Sequence, residues 1–236
     1  MISVKTDFQN RKEEINDYYE LLENIIDKNA KLIFPDGSKK NLKVDLTATL
    51  KSGAILLLYN IVESTISNSL QTIHEIFSDD NLMYQDLNDK IQVKILKHYY
   101  SIFRKPDGIS EDSRIVELQS MINVFSFGNP VNLYYEDFVQ YKTGSQFSGN
   151  LDAKEIRNVV NSYGMNFTKR SKQLRTVRDK RNKLAHGELS FRETCNTDSM
   201  IYMKVLKDKT IEFLEDVIQS IEVFLDNQEY KTNQFT

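Results

Sequence analysis

The chain has 236 residues, a net charge of −3, 40% hydrophobic and 28% charged residues, and one cysteine. This balance suits one large helical domain or two small ones with a hydrophilic surface and rules out an internal disulfide framework. Its most apolar run, residues 54–62, is about half of the roughly 20 residues that a membrane-spanning helix needs.

Eight Gly and three Pro in the whole chain favour long helices. Asp7 is placed to cap a first helix running to about residue 31, with Ile15, Tyr18, Tyr19, Leu22, Ile25 and Ile26 on its inner face. Pro35-Asp36-Gly37-Ser38 is a turn, and residues 41–44 are either extended or a linker. A long apolar helix over 46–77 is the expected centre of a bundle. It carries Asn60, Glu63 and Asn68, polar groups that must find partners on a mostly buried element. They either bridge neighbouring helices, or Glu63 or Asn60 reaches across to a site built elsewhere.

A helix over 83–103 follows, with Leu87, Ile91, Ile95, Leu96, Tyr99 and Phe103 on one side, ended by Lys105-Pro106-Asp107-Gly108. Another spans 111–125, and Gly128-Asn129-Pro130 breaks the chain again. Residues 131–141 fit a short strand or an irregular excursion. Residues 104–150 together read as an irregular insertion into a simpler bundle. A loop at 147–150 leads to Asp152, which opens or caps a helix to Tyr163 that Gly164 closes. The next helix starts near residue 166 or 168 and ends at Gly187. A loop over 188–196 and a long amphipathic helix over 198–227 complete the chain, the latter carrying Ile201, Val205, Ile211, Leu214, Val217, Ile218, Ile221 and Leu225. The expected fold is all-α, a single antiparallel helical bundle over 1–236.

Residues 169–187 are the chemically distinctive stretch. Eight Lys or Arg stand there against one acid, Asp179, for a local charge of +7 on a protein of −3. A basic helix on an otherwise acidic chain is a candidate footprint for a polyanion. Leu174, Val177 and Leu184 form its apolar stripe, and the next place on that stripe holds Arg181. A charge there needs a partner or a cleft. Asn182 and His186 are four apart and so share a face, with Arg178 one turn earlier on the same row. Gly187 suits the left-handed conformation that ends a helix, which leaves His186 in the last turn, where the helix dipole favours an imidazolium.

Arg181-Asn182-Lys183-Leu184-Ala185-His186 fits the Arg-x4–6-His motif, with a polar residue directly after the Arg, of the HEPN superfamily of helical RNA-cleaving domains. Two further stretches, LLLYNIVESTISNSL at 56–70 and FSGNLDAKEIRNVVNSYG at 147–164, are similar to one subfamily of it. The three together span most of the chain from residue 50 onward. The resemblance implies a HEPN-like bundle in a homodimer that brings two motifs face to face at the subunit interface.

That implication meets the needs of RNA cleavage. RNA carries its own nucleophile, the 2′-hydroxyl, so a metal-free site requires a base, a cation for the charge growing on phosphorus, and an acid for the leaving 5′-oxygen. His186 suits proton transfer, because an imidazole ordinarily titrates near pH 6.5. Arg181 suits the phosphate, because its planar fork donates two parallel hydrogen bonds and keeps its charge. Asn182 is placed to orient the ring or to hold a non-bridging oxygen. The remaining cations, Lys169, Arg170, Lys172, Arg175, Arg178, Lys180 and Lys183, are expected to be solvated or to contact phosphates without reading sequence.

The expectation is a cytoplasmic, metal-independent endoribonuclease with a toxin or antiviral defence role. The resemblance also allows an antitoxin or another defence-system protein as a partner. The rival is a non-catalytic RNA-binding or dimerisation subunit of a defence complex. A weaker third reading has Arg178 and Arg181 holding a phosphate of a bound nucleotide. His74 and His98 lack metal-ligand spacing and read as structural, and Cys195 reads as an inert thiol. No Walker loop, GxGxxG or zinc pattern occurs, so neither a cofactor nor a metal is expected.

Overall fold

Apolar residues recurring every three or four positions between Ala48 and Phe77 build the central element of the protein. The structure is a computed structural model and describes residues 1–104, 110–127, 130–131 and 150–232. Helix α1 (Ile2–Ile26) leads into a hairpin of β1 (Lys31–Ile33) and β2 (Lys39–Asn41), then into α2 (Val44–Asp79). A single 3-10 turn at Tyr84–Asp86 precedes α3 (Asp89–Arg104), and α4 (Glu111–Phe127) follows. The C-terminal part holds α5 (Ala153–Asn161), α6 (Lys172–Ala185), the short α7 (Phe191–Thr194) and α8 (Met200–Asp226). Apart from the hairpin, the architecture is all-α, as expected.

Helix α2 has 36 residues and is therefore about 54 Å long. It packs against α1, α6, α7 and α8. Ile55, Leu58, Tyr59, Ile61, Val62, Ile66 and Ile73 are buried on it, facing Tyr19 and Leu22 of α1 and Leu206, Leu214, Val217 and Ile221 of α8. Burying side chains of this size on several faces is what holds a helix with few internal caps. The described residues contain no helix long and apolar enough to cross a membrane.

Several boundaries differ from expectation, each for a local reason. Helix α1 begins at Ile2, because Val4 and Phe8 are buried against the bundle. Asp7 sits inside it and accepts from Arg11 Nε (2.8 Å) and Asn68 Nδ2 (3.1 Å) rather than capping the end. It stops at Ile26 because Lys31–Ile33 is drawn into the hairpin. The expected helix over 83–103 is split. Asn88 donates its backbone N–H to Tyr230 O (2.8 Å), and its side-chain oxygen accepts from Ile91 N (3.0 Å), so α3 starts only after it. Helix α6 starts at Lys172 rather than 166–168, because the Asn161 side chain holds Phe167 by both its N–H (2.8 Å) and its carbonyl (3.0 Å). Ile201 and Val205, expected inward on α8, are exposed, as is Leu96 on α3.

Within the proposed insertion over 104–150, α4 is helical, and residues 105–109, 128–129 and 132–149 lie outside the described residues. The expected strand or excursion at 131–141, apart from Val131, and most of the loop at 147–150 therefore fall outside them too. His74 is structural, its Nε2 lying 2.7 Å from the Tyr163 hydroxyl in the core, and His98 packs its ring against Tyr99.

Candidate active site at the end of helix α6

The basic helix is placed by its short apolar stripe. Leu174 and Val177 are buried, and Ser171 caps the start by accepting from Leu174 N. At the other end His186 is the C-cap residue, donating its N–H to Asn182 O at 2.9 Å. Gly187 follows at φ +69°, and Glu188 N returns to Lys183 O at 2.9 Å, which closes the helix with the left-handed residue the sequence anticipates.

Two of the cations expected on a solvated face are instead fastenings. Arg178 donates to Asp152, the residue that caps α5 by accepting from Lys154 N and Glu155 N, and its Nε and Nη2 also engage Asp179 Oδ1 (3.0 and 2.7 Å). Lys180 pairs with Asp198 Oδ2 at 2.8 Å and donates to Thr194 O at 2.6 Å, with both charged side chains mostly buried. These contacts tie α6 to its neighbours. They withdraw Arg178 from the site in which sequence spacing puts it, and leave the helix less available to a polyanion than its composition suggests.

Arg181 is held differently. Its guanidinium carbon lies 4.5 Å from the centre of the Tyr59 ring, and its Nη1 donates to Asn182 Oδ1 at 3.1 Å. Glu63 Oε2 is 3.8 Å from Nη2, a loose pair on a partly exposed surface. Tyr59 is fixed from behind, its hydroxyl accepting from Leu151 N at 3.2 Å. Burial pushes that phenol up to about 12, so it stays neutral. The Asn182 amide also donates to Asn150 Oδ1 at 3.0 Å. Both ends of Asn182 are thus occupied, and it orients Arg181 rather than the His186 ring. His186 is exposed, and its imidazole makes no hydrogen bond or ion pair with a described residue.

The structure therefore gathers Arg181, Asn182 and Glu63, and places His186 one turn beyond them at the open end of the helix. Asn60 is exposed and makes no polar contact with a described residue, so it does not reach the group. Sequence reasoning missed Tyr59 and Asn150. Tyr59 precedes Glu63 by four residues on α2, a spacing that puts both on one face and could have found it. Nothing in the sequence marks Asn150.

Cys195 is buried, and burial raises its thiol to about 11, which makes it a poor nucleophile. Among the described residues no group of three or more His, Cys, Asp or Glu is arranged to hold a metal ion. A guanidinium with donors to spare can bind a phosphodiester, and an exposed imidazole can take a proton from a hydroxyl or give one to it.

The family model described as MAE_28990-like HEPN matches residues 3–230 of this chain. No curated protein and no solved structure matches it.

Proposed function

The chain belongs to the HEPN family, and from that premise we propose that it is a metal-independent endoribonuclease acting in a toxin or antiviral defence role. The observation that carries the reading is the posture of Arg181. Tyr59 and Asn182 pin its guanidinium at a partly exposed position, Glu63 holds it only loosely, and His186, exposed at the end of the same helix, pairs with no described residue. Five N–H donors are available on a guanidinium, and Asn182 takes one. The others suit the two non-bridging oxygens of a phosphodiester, where a pre-set cation stabilises charge as it develops.

In the proposed reaction the 2′-hydroxyl loses its proton to a base and attacks the adjacent phosphorus, and the P–O5′ bond breaks as an acid protonates the 5′-oxygen. The products are a 2′,3′-cyclic phosphate and a 5′-hydroxyl. His186 performs one of the two proton transfers. A second copy of the chain, related by a two-fold axis through the site, supplies the other imidazole, so the active form is a homodimer. An antitoxin or another defence-system protein is a further proposed partner.

The test is incubation of the purified protein with single-stranded RNA in EDTA, followed by identification of the product ends. Cyclic phosphate ends, and a block to cutting wherever a 2′-deoxynucleotide replaces the scissile one, support the nuclease. RNA binding with no cleavage supports a non-catalytic RNA-binding and dimerisation subunit instead.

A further inference from the structure

Residues 27–41 are all exposed, yet they are ordered as a paired hairpin. An isolated two-stranded hairpin is marginal in water, and this one buries no side chain against the bundle. Its turn is built from its own backbone: Phe34 N donates to Ser38 O (2.9 Å), Gly37 N to Phe34 O (2.8 Å), and Gly37 adopts φ +80°. The composition is as unusual as the exposure. Residues 28–43 hold five lysines and one acid, Asp36, a local charge of +4 on a chain of −3. Lys31, Lys39, Lys40 and Lys43 make no ion pair with a described residue. Opposed residues share a face, so Ile33 lies between Lys31 and Lys39 on one side, and Leu32 faces Lys40 on the other. Phe34 is exposed at the turn.

A stripe on α2 connects this hairpin to the candidate site. Glu63 and Tyr59 meet Arg181, Ser52 donates to Phe191 O, and Asp45 pairs with Arg192. These α2 residues are spaced by four, seven and seven, one face of a helix. The stripe covers about 27 Å from Glu63 to Asp45, and the hairpin joins α2 just before its first residue, Val44. Exposed Arg192, at Asp45, and Lys43, just before α2, lie at the hairpin end of the stripe.

We propose that the β1–β2 hairpin is a second, non-catalytic RNA contact, which holds the strand at the N-terminal end of α2, along the helix from the scissile phosphate. The partner is single-stranded RNA: lysines engage its phosphates, and the exposed Ile33 and Phe34 offer apolar and aromatic surface to its unstacked bases. The inference deepens the ribonuclease reading and rests on it for the site the hairpin serves. Binding held by lysines is sequence-independent and falls with salt.

The experiment measures affinity and its salt dependence for an unstructured RNA of about 20 nucleotides, longer than a single-strand contact of several bases. It is done on full-length His186→Ala protein, so that no cutting interferes, with and without the triple substitution Lys31→Gln, Lys39→Gln, Lys40→Gln. In the intact background, cleavage of a dinucleotide is compared with and without the triple, and Phe34→Ser is tested separately. Three lost phosphate contacts are expected to reduce the slope of log affinity against log salt by about 2. Affinity for the long RNA falls about tenfold, the melting temperature is unchanged, and dinucleotide cleavage is unaffected. An unchanged slope and affinity overturn the inference while leaving the nuclease reading intact. Binding lost in the triple, together with a parent carrying intact His186 that cuts no RNA, sinks the nuclease reading and keeps the hairpin contact. Retention on phosphatidylserine vesicles that the triple abolishes, with RNA affinity unaltered, overturns it in favour of a lipid surface.

Discussion

The guanidinium of Arg181 rests over the face of the Tyr59 ring, 4.5 Å from its centre, and that ring is anchored in turn by the Leu151 backbone N–H. Cation–π contact of this kind is worth about 0.5–2 kcal/mol, more where water is excluded. Its larger effect here is positional, because it fixes the plane in which the donors of Arg181 lie. Tyr59→Leu is expected to lower kcat/KM on RNA about tenfold, while Tyr59→Phe keeps the ring and most of the activity. Tyr59→Phe still costs about 1–2 kcal/mol of stability, because the Leu151 N–H loses its acceptor. Steady-state kinetics and urea unfolding of the two variants separate these effects.

Alkaline pH acts on the same ring. Burial raises Tyr59 to about 12, and burial with a hydrogen bond to Asp80 raises Tyr230 to about 12. Both folded values exceed the ordinary tyrosine value of about 10, so folding favours the protonated phenols. Their contribution is complete below pH 10 and is lost as pH rises toward 12. Unfolding free energy measured from pH 8 to pH 12 is expected to fall steeply over the upper part of that range, and less steeply in Tyr59→Phe.

The Lys180–Asp198 pair joins α6 to the start of α8, with side-chain exposures of 19% and 12%. Removing Asp198 leaves the largely buried Lys180 ammonium its bond to Thr194 O but no counter-charge. Asp198→Ala is expected to destabilise the protein by about 3 kcal/mol, the low end of what a broken buried pair costs. Arg175→Ala, on an exposed side chain of the same helix, is expected to change stability by about 0.5 kcal/mol or less. Chemical denaturation of both variants checks the contrast.

Gly164 stands at φ +108°, and a Cβ there would sit 2.7 Å from the Asn88 amide nitrogen. Asn88 donates to both Tyr163 O and Glu229 O, so it has little room to retreat. Gly164→Ala is expected to lose about 1–3 kcal/mol from backbone strain alone, read as a lower melting temperature, with RNA cleavage unchanged at 25 °C.

Legibility in the sequence followed the length and strength of each pattern. The long apolar runs of α2 and α8 are recoverable from periodicity, because burial on those helices dominates any competing local preference. Asp152 and Gly187 also announced their roles, since a cap and a left-handed residue are local signals. Of the hairpin only the turn at 35–38 was legible: strands of three residues with every side chain exposed show no alternation, so the first helix was expected to run to about residue 31 and neither strand was expected. The motif gave Arg181, Asn182 and His186 their place on α6, but not their company. Arg178 and Lys180 looked like equivalents of the other cations, because the partners that claim them, Asp152 and Asp198, lie on other segments of the chain. Asn182 was expected to orient the imidazole or to hold a non-bridging oxygen, and its side-chain oxygen accepts from the guanidinium instead.

The central claim is that Arg181 and His186 together cut RNA without a metal. Its most direct test is the rate of cleavage of one RNA in EDTA by the parent, His186→Ala and Arg181→Ala, with circular dichroism confirming that all three are folded. The account predicts cutting by the parent and losses of at least about 100-fold in each variant, the scale of a removed proton-transfer group or charge-stabilising donor. Cleavage by either folded variant at the parent's rate would contradict it.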